Sequence, residues 1–78
     1  MSDQSQAGTP GQHLRDLRIA KGWNQTTLAV RAHTSIGTIS FAERGKRQPQ
    51  LLTQERIARA LRVDRRDIWP EEDQEAAS

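Results

Sequence analysis

The sequence predicts an all-α fold, a compact domain of five short helices, on three observations. Five segments carry apolar residues at helical spacing, no segment shows the period-two alternation of a strand, and capping or stop residues punctuate the segments. Residues 1–11, MSDQSQAGTPG, are polar, aperiodic and Gly/Pro-containing, and read as a flexible arm ahead of a domain over 12–70. The first helix, QHLRDLRIAK, sets Leu14, Leu17 and Ala20 on one face, and Gly22 stops it. The second, NQTTLAVRA, opens on Asn24 as N-cap and turns Leu28, Ala29 and Ala32 inward. His33 and Thr34 are left for a turn. Ser35 caps the third helix, whose inward residues are Ile39 and Ala42 and whose end is Gly45.

After Pro49, QLLTQERIARALRV places Ile57, Ala58 and Leu61 on one face, with Leu51 or Leu52 entering the core. Two starts are open: Thr53 as N-cap, with Leu52 and Ile57 as a hydrophobic staple, or a start near Leu51. In DRRDIW, Asp64 and Asp67 have capping-box spacing, and Ile68 and Trp69 go to the core before Pro70. Residues 71–78, EEDQEAAS, read as an acidic flexible tail.

Seventy-eight residues make one small domain with little core to spare. Hydrophobic residues are 33% of the chain, yet they concentrate between Leu14 and Trp69. There is no cysteine, so neither a disulfide nor a thiolate metal site can supplement helix packing. No apolar run approaches the roughly 20 residues of a membrane span, and residues 1–11 have neither a basic start nor an apolar stretch. The expectation is a cytoplasmic protein without a membrane partner.

The net charge of +2 hides a strong asymmetry. Between Gln12 and Pro70, all twelve Lys and Arg stand against Asp16, Glu43, Glu55, Asp64 and Asp67, a local excess of seven. Such a surface suits a polyanion, although a cationic surface can also serve solubility alone. His13 and His33 lack the cysteine or spaced carboxylates of a metal site. The hydroxyls between Ser2 and Ser40 lack a base and an orienting acid. No enzyme, cofactor or small-molecule ligand is expected.

Two helices joined by a turn of about three residues, the second short and rich in small residues, fit a helix-turn-helix. From Leu14 to Trp69 the ordered set LRDLR, KGWNQ, LA, SIGTIS, ERGKRQP and IARALRVDRRDIW resembles the Cro and phage-repressor type of helix-turn-helix, the xenobiotic-response-element-like family. The resemblance implies a five-helix DNA-binding domain, its second helix across the DNA backbone and its third in the major groove. It implies a sequence-specific transcriptional regulator, a repressor bound to double-stranded DNA as a homodimer on a two-fold symmetric operator. By the same resemblance Ser35, Ile36, Gly37, Thr38, Ser40 and Phe41 face bases, and Gln25, Arg44, Lys46 and Arg47 contact phosphates. The resemblance also implies a structural ion pair between Arg18 and Glu43.

Three positions depart from the family pattern. His33 stands where glycine is usual, which implies a positive φ that His tolerates better than a β-branched residue. Ala42 replaces a large aliphatic residue, and Gln54 a frequent leucine. Trp23, Trp69 and Phe41 are the residues able to restore that volume; if Phe41 does so, it is withdrawn from the bases. The reading helix offers no Arg, Asn or Gln for bidentate base contacts, so methyl contacts, hydroxyls and close approach at Gly37 must supply selectivity. A module with the same fold that binds protein and reads no bases is the alternative.

Overall fold

The computed structural model describes residues 9–45 and 48–70, and all regular structure among them is helical. The elements are α1 (Pro10–Ala20), α2 (Gln25–Arg31), α3 (Ile36–Arg44), α4 (Leu51–Leu61) and α5 (Arg65–Ile68).

α1 begins earlier than the sequence reading placed it. Thr9 is the N-cap, accepting from the Gln12 amide at 3.1 Å, and Pro10 occupies the first helical position, where its missing N–H costs nothing. Thr9, Pro10 and Gly11 therefore belong to the domain, not to an arm running through residue 11. Gly11 is required by packing: a Cβ there would lie 2.5 Å from the Glu43 carbonyl oxygen and 2.6 Å from that of Ala42. Only a residue without a side chain lets the start of α1 rest on the end of α3. The rest of the expected arm, residues 1–8, and the acidic tail, 71–78, lie outside the described residues.

Asn24 caps α2 through the Thr27 amide at 2.8 Å, and Ser35 caps α3 through the Thr38 amide at 3.1 Å. Between them His33 takes φ 58°, the left-handed conformation expected of it, and the Thr34 amide closes the turn on the Ala29 carbonyl at 2.9 Å. Gly45 ends α3 at φ 74°.

α4 starts at Leu51 behind Gln50, which makes no side-chain cap, and Thr53 lies inside the helix. The Thr53 cap and its staple are thus not formed. Leu51 and Leu52 are 54% and 58% exposed and do not enter the core as expected. Arg62 ends α4 in the left-handed region at φ 61°. α5 carries the capping box: the Asp64 side chain accepts from the Arg66 amide at 2.9 Å, and its amide donates to Asp67 Oδ2 at 3.2 Å.

α1 packs on α3 and α5, α2 on α3 and α4, and α4 on α5. Leu14, Leu28, Ile39, Ile57 and Ile68 are fully buried, each stabilising the fold by about 1.5 to 3 kcal/mol through area removed from water. Ala20 is exposed, so α1's inward face is Leu14 with half-buried Leu17. Trp69 is buried and Trp23 packs partly on the core, whereas Phe41 is 52% exposed and fills no volume beside Ala42.

Gln54 is buried in leucine's stead, with both ends of its amide used. Nε2 donates to the Pro49 carbonyl at 2.9 Å, and Oε1 accepts from Arg65 Nη1 at 3.2 Å. A buried amide costs little once both ends are paired. No helix among the described residues is long and apolar enough to cross a membrane.

Candidate nucleic-acid interface

α2, the His33–Thr34 turn and α3 pack as one unit. Ala29 and Ile39 are buried where the two helices pack, so α3 is held with its opposite side outward. That outward side begins at the N-cap: Ser35, Ile36, Gly37 and Phe41 are exposed, while Thr38 and Ser40 are half-buried. Ile36, at 47% exposure, and Phe41 are large apolar groups that stand exposed on this side.

Two of the hydroxyls on this side are already committed. Ser35 Oγ accepts from the Thr38 amide and lies 2.9 Å from Thr38 Oγ1. They retain partial capacity for an external group. Gly37 presents open space: a Cβ there would meet nothing nearer than Ser35 Oγ at 3.8 Å, and its backbone is ordinary helix. Nothing within the domain requires glycine at this position, in contrast to Gly11.

Arg44, one turn after Phe41, lies with its guanidinium 5.2 Å from the Phe41 ring centroid. This cation–π stack places a charge at the end of the exposed apolar strip. The sequence reading treated the two residues separately; their three-residue helical spacing was the signal that joins them. Lys46 and Arg47, expected to follow Arg44 along a phosphate strand, lie outside the described residues.

Behind α3, Glu43 is the acceptor for three donors. Arg18 Nε and Nη2 reach its two carboxylate oxygens at 2.6 and 3.1 Å, and Gln25 Nε2 donates at 3.1 Å. Arg18 Nη1 also donates to the Trp23 carbonyl at 2.9 Å. The two charged side chains are only 11% and 4% exposed. Hydrogen bonding to Glu43 raises the Arg18 pKa against the opposing effect of burial. Gln25, expected at a phosphate, has its amide nitrogen turned inward to this network.

Trp23 is approached by two cations, Arg31 at 4.7 Å and Lys21 at 5.5 Å from its ring centroid. The sequence reading also missed the Gln54 bridge, although the inward register of Ile57, Ala58 and Leu61 puts residue 54 on the same face. Among the described residues no three His, Asp or Glu side chains converge as a metal site requires.

Comparison with known proteins adds two findings. Residues 11–68 match the family profile described as a helix-turn-helix domain. Among solved structures, the restriction-modification controller protein C.AhdI from Aeromonas hydrophila is similar at 34% sequence identity and TM-score 0.73, over 87% of this chain and 98% of that one. Among curated proteins there was no match.

Proposed function

Since this chain belongs to the helix-turn-helix domain family, we propose that it is a sequence-specific DNA-binding transcriptional regulator, a repressor that binds a two-fold symmetric operator as a homodimer. α3 lies in the major groove, with Ser35, Ile36, Gly37, Thr38, Ser40 and Phe41 toward base edges. Arg44, Lys46 and Arg47 neutralise phosphates beyond it, and Gln25 at the start of α2, with one of its Nε2 hydrogens donated to Glu43, offers the other to a phosphate across the groove.

The observation that carries this reading is the outward side of α3. Ile36 and Phe41 are half exposed, and a Cβ on Gly37 would meet open space. Apolar groups and an absent side chain on one exposed strip fit thymine methyls and close backbone approach to a groove. Similarity to a restriction-modification controller supports a regulatory role, and makes restriction and modification genes the first place to seek the operator. The half-exposed Leu51 and Leu52 offer apolar surface for weak pairing through the C-terminal part of the domain. This reading assigns the protein no catalytic step.

Selection of bound sequences from a random DNA pool tests it. The expected outcome is enrichment of an A/T-containing half-site repeated as an inverted pair, with two subunits bound at saturation. Recovery of no preferred sequence favours a protein-interaction module; one subunit per site at saturation overturns the homodimer.

A further inference from the structure

Among the described residues, only His33 and Arg62 take a positive φ without being glycine, at 58° and 61°, and both line one groove. It runs between the end of α2, the turn and α4, where Arg31, Arg56 and Arg59 join them. Four arginines and a histidine thus meet without a carboxylate. Arg59 and Arg62 also line an adjoining groove with Arg66, where Glu55 and Asp64 offset part of the charge. No residue of α3 lines either groove, nor do Leu51 and Leu52, the apolar surface offered for pairing.

Strain and charge coincide here. A helix end in the left-handed region ordinarily takes glycine, as Gly45 does at the end of α3. Keeping Arg at 62 and His at 33 retains backbone strain and, with it, a hydrogen-bond donor at each place. Arg31 has its guanidinium 4.7 Å from the Trp23 ring centroid, and a guanidinium stacked on a ring keeps the in-plane N–H groups that match a phosphate. Arg56, Arg59 and Arg62 are exposed, and among the described residues none of them is paired with a carboxylate. They follow one another at three-residue intervals, about 4.5 Å of helix rise apart. Such a row suits an extended anion better than a small one.

The chemistry of the walls selects the occupant. A protein partner needs a buried apolar anchor, and exposed Val30 with half-buried Ala60 is the whole apolar wall of the groove. A nucleic-acid backbone asks instead for positive charge and planar donors. We propose that this groove binds the sugar-phosphate backbone of a second DNA duplex, so that a molecule seated through α3 on one duplex holds another. The joining rests on α3 binding DNA; phosphate binding by the groove does not.

An amide chemical-shift titration of the full chain with a mixed-sequence duplex separates the two. Residues 56–62 should move as well as α3. With Arg56→Gln, Arg59→Gln and Arg62→Gln together, 56–62 should fall silent while α3 still responds, which also shows that the variant is folded. Movement of α3 alone overturns the groove and leaves the reading helix standing; movement of 56–62 alone upholds the groove and removes α3. Duplex DNA has the denser charge and releases condensed counterions, so inorganic tripolyphosphate and poly-glutamate should need about tenfold more anionic charge to half-saturate the groove amides. An equal response to tripolyphosphate makes the ligand a small polyanion, and an equal response to poly-glutamate makes it an acidic protein; either overturns DNA as the occupant.

Joining is read on beads. With protein loaded to the same level on an immobilised duplex, the native chain should retain about tenfold more of a labelled second duplex than the triple variant. Equal retention would mean that the α3 surfaces of paired molecules join the duplexes, and overturns the role of the groove.

Discussion

Glu43 and Arg18 are the centre of a buried polar network, in which one carboxylate answers Arg18 twice and Gln25 once. Exposed ion pairs contribute about 0 to 1 kcal/mol, but removing one partner of a buried pair strands the other charge. Glu43→Ala should therefore lower stability by roughly 3 kcal/mol or more in denaturant melts. Arg18→Ala in the same background should cost far less than it does alone. An unchanged midpoint for Glu43→Ala contradicts the energetic role of the pair. Gly37 poses the opposite case. Its Cβ position is open, so Gly37→Ala should stabilise the free domain by up to about 1 kcal/mol through helix propensity. The same change should weaken operator binding in an anisotropy titration; if binding is unaffected, the backbone at 37 does not approach DNA. Ile36 has its own signature: replacing a contacted thymine by uracil removes only a methyl and should weaken native binding by about 1 kcal/mol, while Ile36→Ala should be indifferent to the exchange. Equal responses at every thymine transfer the selectivity to DNA shape.

At the scale of elements, the turn between α2 and α3 decides how the reading helix is presented. His33 holds φ 58° with an exposed side chain, and a left-handed non-glycine residue carries about 1 to 2 kcal/mol of strain. Glycine relieves that strain but enlarges the unfolded ensemble, so His33→Gly should raise stability by only about 0.5 to 1 kcal/mol. His33→Val should lower it, and both shifts are readable as denaturant midpoints. A loss on going to glycine removes the strain argument. That turn was legible because Asn24, Ser35 and Gly45 bracket it, each able to adopt a conformation or bond a helix end demands. α4 was less legible at its start: Gln50 offers no cap signal, and Leu51 and Leu52 look like core entry by composition while the backbone leaves both half exposed. At α1 the signal was present in Thr9 followed by Pro10, a cap and a first-turn proline, and a polar, glycine-containing context masked it. Within the candidate site, the exposed strip on α3 follows from register alone. The inward turn of Gln25 and the Arg44 stack on Phe41 depend on which of several partners a long side chain chooses, and that is settled by three-dimensional proximity.

At the scale of the whole molecule, the question is where charge meets DNA. Two groups of cations compete for that role: Arg44 with Lys46 and Arg47 beyond it in sequence, and the arginines of α4 and α5, whose grooves include no α3 residue. If α3 is the reading helix, operator binding should release counterions through the first group together with the helix N-termini. With about four to six phosphates neutralised per subunit, a dimer should give a log–log salt slope on the order of −7 to −10. Arg44→Gln, counted twice in a symmetric complex, should make the slope shallower by about 2. Arg59→Gln with Arg62→Gln should leave the operator slope within about one unit of the native value, because those side chains release few counterions in the specific complex. Anisotropy titrations on the selected operator across a salt series measure all three slopes. A native slope near zero contradicts phosphate-dominated binding. A loss for the α4 pair as large as that for Arg44 would mean that the operator wraps onto α4 and α5, and that the two cationic surfaces form one continuous path for DNA.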